Sequence, residues 1–257
     1  MKLTNKTIIK NRKGMKMAVI IDEIKNQKGL VFVMHGFGSF KEHKLLTRVA
    51  EIFNEKGFTA IRFDTTNSIG ESEGKLEDAT MTQYVEDLED IIEWSKSQKW
   101  YQEPFALVGH SLGGYCITNY AINNQGKVNS LILFGSIISG KLFQETDKIK
   151  PLLKDWKEKG IREWESSSSP GVFKKSKYIF IEDGMSHDLL KTADKIKCPV
   201  VMITGENDES IPVEHQKMLF DKIKSSKQFY VLKGGNHNLK GIEDSPELFS
   251  ILSKNIG

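Results

Sequence analysis

Phe105-Ala-Leu-Val-Gly-His-Ser111-Leu-Gly-Gly114 is the stretch whose reading decides the fold. Four apolar residues run from Phe105 to Val108 with no polar alternation, as a strand buried on both faces requires. From Leu112 the pattern predicts a helix to about Ile122, stopping before Asn123-Asn124-Gln125-Gly126. Between strand and helix lies G-x-S-x-G, the spacing of a nucleophile elbow. A serine on such a sharp turn projects its hydroxyl, and the flanking glycines admit neighbouring backbone without a Cβ clash. The turn also aims the amide of Leu112, at a helix N-terminus, toward a developing oxyanion. Ser111 is therefore the candidate nucleophile.

Similar apolar runs recur at 30–35, 59–64, 131–134, 200–204 and 229–232, with shorter strand signals at 7–10 and 16–22. Helical stretches fall between them, including 44–56 and 81–96. In the latter Tyr84, Leu88, Ile91 and Ile92 keep helical spacing, and Thr80 or Thr82 is placed to cap its start. Strands alternating with helices predict an α/β fold, a mostly parallel sheet covered on both faces. Lys2, Lys6, Lys10, Lys13 and Lys16 suit a solvated edge strand. The alternation breaks between Ser136 and Pro199, too long a gap for a structureless loop. It reads as a small helical insertion with a flexible serine run, Ser166 to Ser169. The expected division is a core of residues 1–136 and 192–257 and a cap of residues 137–191.

The chain has 257 residues, 39% of them hydrophobic and 28% charged, which fits a globular protein. Its 37 basic and 34 acidic side chains leave +3, too little to argue for a nucleic-acid partner. No run approaches the roughly 18 apolar residues of a transmembrane helix, and the first residues lack a signal-peptide core. Cys116 and Cys198 have no metal-ligand spacing and read as free buried thiols, which suits a reducing cytoplasm. The sequence is compatible with a monomer or a homodimer.

A serine nucleophile needs a base, and the base an orienting acid, in the chain order serine, acid, histidine. After Ser111 the histidines are His187, His215 and His237. His237 sits in Gly234-Gly-Asn-His-Asn238, a loop just past the last core strand, and is the expected base. Asp208 closes Gly205-Glu-Asn-Asp208 after the strand at 200–204 and is the expected acid, with Glu206 and Glu209 as near alternatives. A tetrahedral intermediate needs two amide donors for its oxyanion. One is that of Leu112. The other is expected from His35-Gly-Phe-Gly-Ser39, at Phe37, with His35 fixing the loop.

These residues resemble the α/β-hydrolase superfamily and, more narrowly, its feruloyl (cinnamoyl) esterases and monoacylglycerol lipases. The resemblance rests on HGFGS from His35, FDTTNSIGESEG from Phe63, GHSLGG from Gly109, GENDESIP from Gly205 and GGNHNLKG from Gly234. It implies an eight-stranded sheet with a cap after the sixth strand, a Ser111–His237–Asp208 triad and no cofactor or metal. One departure is Asp64-Thr-Thr-Asn-Ser68, where relatives often carry glycine and histidine. The expected reaction is hydrolysis of small to medium acyl, aromatic (feruloyl-like) or monoacylglycerol esters through an acyl-enzyme. Trp156 and Trp164 of the insertion are candidate pocket residues. Competing readings are hydrolysis of a thioester, amide, peptide or carbon–carbon bond, a cofactor-free peroxidase, and a binding module on a dead hydrolase scaffold. The last would be expected to lack a triad member.

Overall fold

Runs without polar alternation become the interior strands of one eight-stranded sheet in the computed structural model, which describes residues 2–166 and 171–256. Its strands are β1 (Lys2–Lys10), β2 (Lys16–Ile24), β3 (Gly29–Met34), β4 (Phe58–Phe63), β5 (Phe105–His110), β6 (Val128–Phe134), β9 (Val200–Gly205) and β10 (Lys227–Leu232). They lie in the order β1-β2-β4-β3-β5-β6-β9-β10. From β4 to β10 every pairing is parallel, while β1 and β2 add an antiparallel edge. Successive side chains of one strand feed two cores. Leu30, Phe32 and Met34 join the layer that holds α2 (Met81–Ser95) and α3 (Leu112–Asn123). Val31 and Val33 join the layer of α1 (Lys44–Glu55) and α8 (Pro246–Asn255). That two-sided burial is why β3 carries no polar position.

The edge strand begins at Lys2, five residues before the expected start. Its nine residues pair in continuous register with β2, from Lys2 opposite Ile24 to Lys10 opposite Lys16. One face is open to water, so the pattern carries little apolar signal. A buried ion pair crosses behind it: Arg62 lies 2.9 Å from Asp22, whose other oxygen accepts from the Thr4 hydroxyl at 2.6 Å. Burial works against ionisation there, but the Thr4 and Arg62 hydrogen bonds prevail and hold the Asp22 carboxyl below its ordinary value. Thr80 caps α2 by accepting from the Gln83 amide at 3.1 Å. Thr82 instead donates to Asp183.

The segment between β6 and β9 is not all helical. It holds α4 (Gly140–Gln144), α5 (Leu153–Lys159), a hairpin of β7 (Ile161–Glu165) and β8 (Phe173–Lys177), and α6 (Ile179–Gly184). The hairpin escaped the sequence reading because Glu and Lys occupy its solvent face and each strand is only five residues long. The two ends of the segment meet: Gly140 donates to the His187 carbonyl at 2.9 Å and Leu189 to that of Ile138 at 2.8 Å. Of the serine run, residues 167–169 lie outside the described residues. No described helix is long and apolar enough to cross a membrane.

Candidate active site

The C-terminal ends of β3, β5, β6, β9 and β10 converge on a cleft of about 740 Å³. This is the end at which open parallel sheets bind ligands. Ser111 stands between β5 and α3 with φ +54° and ψ −117°, a conformation few residues other than glycine tolerate. Four backbone bonds hold it there. Its amide donates to the Phe134 carbonyl at 2.9 Å, and its carbonyl accepts from Ile137 at 3.0 Å, from Gly114 at 3.1 Å and from Tyr115 at 3.4 Å. The side chain reaches the cleft.

His237 lies on the loop after β10 and lines the same cleft. Its Nδ1 is 2.8 Å from Asp208 Oδ2. The other carboxylate oxygen accepts from the Ser210 and Ile211 amides at 2.9 and 2.8 Å, so Asp208 is oriented from both sides. That pairing keeps the proton on Nδ1 and leaves Nε2 as the acceptor. Gly135, at the end of β6 with φ +45°, makes room for the pair: a Cβ there would sit 2.8 Å from Asp208 Oδ2 and 3.4 Å from His237 Nδ1. The two other acids considered are elsewhere. Glu206 is exposed and accepts from the Gly234 amide at 3.0 Å, and Glu209 lies exposed at the rim.

The loop after β3 closes the other side. A Cβ on Gly36 would stand 2.8 Å from that of Ser111, so this backbone lies directly on the serine. His35, fully buried, accepts at Nε2 from the Thr65 amide at 3.1 Å and therefore carries its proton on Nδ1, which donates to Gly36 O at 2.8 Å. The Ser39 amide donates to the same carbonyl at 3.2 Å. In a planar trans peptide N–H and C=O point in opposite directions, so gripping Gly36 O turns the Phe37 amide the other way. Leu112 N–H, first in α3, has no intrahelical acceptor. Next to this loop Lys41 is buried on Asp64, 2.7 Å away, tying it to the departing loop 64–74.

The two tryptophans part company. Trp164 lines the cleft and stacks on Phe37 with ring centroids 6.1 Å apart. Trp156 does not line it: its indole is 3% exposed and donates to the Ser176 carbonyl at 2.8 Å, inside the insertion's own core. Sequence reasoning missed several wall residues, notably His43, His110, Ile137, Phe180, Arg162 and Lys174. The signal for Arg162 was present, because it alternates with Trp164 on one strand face. His187 instead bonds the Tyr115 hydroxyl at 2.9 Å, and His215 is half-buried on α7 (Val213–Lys222). Among the described residues no cluster of three or more His, Cys, Asp or Glu could hold a metal ion.

His35, His43 and His110 are all held below the ordinary imidazole pKa, first by burial and, for His43 and His110, next by neighbouring imidazoles. The consequence for stability has a definite sign. Below the unfolded value of about 6.5 the unfolded chain takes up protons that the folded chain refuses. Stability is therefore full above that pH and falls as pH drops from it through the folded values. Each histidine kept neutral contributes a loss of up to about 1.4 kcal/mol per pH unit. Urea midpoints should fall steeply between pH 6.5 and 5, and His43→Gln should make the slope shallower. A midpoint constant over that range would show that these rings titrate normally.

The family model described as serine aminopeptidase, S33 matches residues 25–177. The mitochondrial palmitoyl-protein thioesterase ABHD10 of Bos taurus is 28% identical over 214 residues, 82% of this chain and 67% of that protein. The Mus musculus protein is 29% identical over 216 residues, 82% and 69% of the two chains. Among solved structures, Est1E from Butyrivibrio proteoclasticus with ferulic acid bound superposes at TM-score 0.82 and 20% identity, covering 97% of each chain. Alpha/beta hydrolase domain-containing protein 10 from mouse gives 0.79 at 24%, covering 98% of each. At those identities the likeness to the structures shows the fold. The elbow at Ser111 and the sheet that carries it sit on the frame those proteins share, and the chain belongs to the serine aminopeptidase S33 family of α/β hydrolases.

Proposed function

We propose that the protein hydrolyses carboxylic esters through a Ser111 acyl-enzyme, with His237 as base and Asp208 as the acid that orients it. The observation that carries this reading is the meeting, in one cleft, of a positive-φ serine and a histidine whose Nδ1 is held 2.8 Å from a buried carboxylate. Ser111 Oγ attacks the ester carbonyl while His237 Nε2 takes its proton, and the resulting oxyanion is received by the amides of Phe37 and Leu112. The carbon–oxygen bond breaks as His237 returns that proton to the leaving alcohol. Water, deprotonated by the same nitrogen, then releases the acid and frees the serine. The triad chemistry is the same for a thioester, and the thioesterases among the relatives make that bond the second reading.

Residues 137–191 act as a lid over a core of 1–136 and 192–257. A cleft of about 740 Å³ is of the size that encloses small-molecule ligands, and aromatic rings of Phe37, Trp164 and Phe180 suit a small to medium acyl, monoacylglycerol or feruloyl-like group. Cys116 and Cys198 are buried free thiols, which supports a cytoplasmic setting.

The test is kcat/KM for acetyl, octanoyl and feruloyl esters beside matched thioesters, in the parent and two variants. Trp164→Ala should shift discrimination among acyl groups about 10- to 200-fold, acetyl least affected. Trp156→Ala should instead lower stability by about 3–5 kcal/mol, because it empties a packed site and orphans the Ser176 carbonyl. Equal losses on all three esters in Trp164→Ala would remove that residue from the acyl site. Turnover of the thioesters alone would exchange the first reading for the second.

A further inference from the structure

The β7–β8 hairpin sorts its charges by face. Its outward residues include Lys175, 2.9 Å from Glu163, and Lys177, paired with Asp78. Its inward residues, Arg162 and Trp164 on β7 and Lys174 and Ser176 on β8, share the opposite face by register. Arg162 and Lys174 line the cleft, and among the described residues neither has an ion pair. Other partly or wholly buried cations of this fold do have one, as Lys41 with Asp64 and Arg62 with Asp22 show.

Neither cation is idle surface. The Arg162 guanidinium lies 5.6 Å from the Trp156 ring centroid and 5.1 Å from that of Trp164, which fix its plane while leaving N–H donors at its edge. Lys174 reaches over the β3 loop: a Cβ on Gly38 would meet its Nζ at 3.7 Å, one residue from Phe37. Burial depresses the pKa of both. The carboxylates that line the same cleft, Glu165 and Glu209, pair with neither cation: Glu165 accepts from the Gly171 amide at 2.7 Å, and Glu209 is exposed.

A desolvated cation without a counter-ion destabilises the free protein, and an arriving anion relieves the cost. We propose that Arg162 and Lys174 form an anion subsite, so that the substrate is an ester or thioester bearing a carboxylate or phosphate near its scissile carbonyl. This rests on the hydrolase reading above and narrows it to a charged substrate class. An alkyl or aryl ester without charge fills the same cleft but leaves both cations unmatched.

Matched ester pairs test it. 4-Nitrophenyl hemisuccinate against 4-nitrophenyl butyrate places the carboxylate on the acyl side. 4-Acetoxybenzoate against phenyl acetate places it on the leaving group, and 4-acetoxyphenyl phosphate replaces it by phosphate. The readout is the ratio of anionic to neutral kcat/KM, which cancels any general effect of a variant. In the parent it should be about 10- to 100-fold for at least one pair, and smaller in high salt. In the Arg162→Gln, Lys174→Gln double variant it should approach one, while Lys174→Arg should retain most of it. Parent ratios within about twofold for every pair, or a ratio that survives in the double variant, would overturn the subsite. Calorimetric titration of glutarate and phenyl phosphate, binding the parent and not the double variant, tests it without turnover. Binding there with no hydrolysis of any ester or thioester would sink the hydrolase reading and leave the subsite standing. Absence of binding and of any charge preference would remove the subsite alone.

Discussion

Ser111→Ala is expected to lower ester turnover about a million-fold and to abolish labelling by a fluorophosphonate probe, with the fold unchanged. The fold should survive because what holds residue 111 in its unusual conformation is backbone. Its amide bonds the Phe134 carbonyl, and its carbonyl receives the amides of Ile137, Gly114 and Tyr115; alanine keeps all four. What alanine lacks is the hydroxyl oxygen proposed to attack. Thermal denaturation should therefore match the parent within a degree or two while the probe labels the parent only. Labelling that persists in the variant would move the nucleophile to another serine.

Asp208→Asn is expected to lower kcat by about ten-thousand-fold, less than the serine change but far more than either neighbouring acid. Asparagine can keep its carbonyl oxygen where Oδ1 now accepts from Ser210 and Ile211, so the turn after β9 stays formed. Its amide nitrogen then faces His237 Nδ1, where a carboxylate oxygen lies 2.8 Å away in the parent. Two donors cannot share a bond. The imidazole must move its proton to Nε2, the nitrogen proposed to accept from serine. Glu206→Gln and Glu209→Gln should cost no more than a few-fold, since neither approaches the imidazole. A greater loss in one of them than in Asp208→Asn would reassign the acid.

The parts of the fold that were legible in the sequence are those where burial is two-sided. The runs at 30–34, 105–108 and 200–204 could belong only to interior strands, and their ends carry the loops where Phe37, Ser111 and Asp208 sit. What hid was structure with one wet face. Residues 2–6 of β1 and the whole β7–β8 hairpin are rich in lysine and glutamate, and their alternation is too short to stand out from solvated loop. The walls of the cleft were hidden for a different reason. His43 follows β3 while Arg162, Lys174 and Phe180 belong to the segment after β6, and nothing local marks the two stretches as neighbours. Trp156 illustrates the converse: an aromatic residue in the right segment, turned to packing because its indole N–H found a partner at Ser176.

One contact links the elements that carry Ser111 and His237. His110, the residue before the proposed nucleophile, holds its Nε2 2.9 Å from the backbone carbonyl of His237 itself. His237 rides on a loop with little regular structure, and such a loop left alone would sample many positions. A bond from the rigid end of β5 to residue 237 removes that freedom before substrate arrives, so the conformational entropy of placing the imidazole is spent during folding rather than in each turnover. The spacing between Ser111 and the His237 imidazole is then held in part by one side chain of the cleft wall.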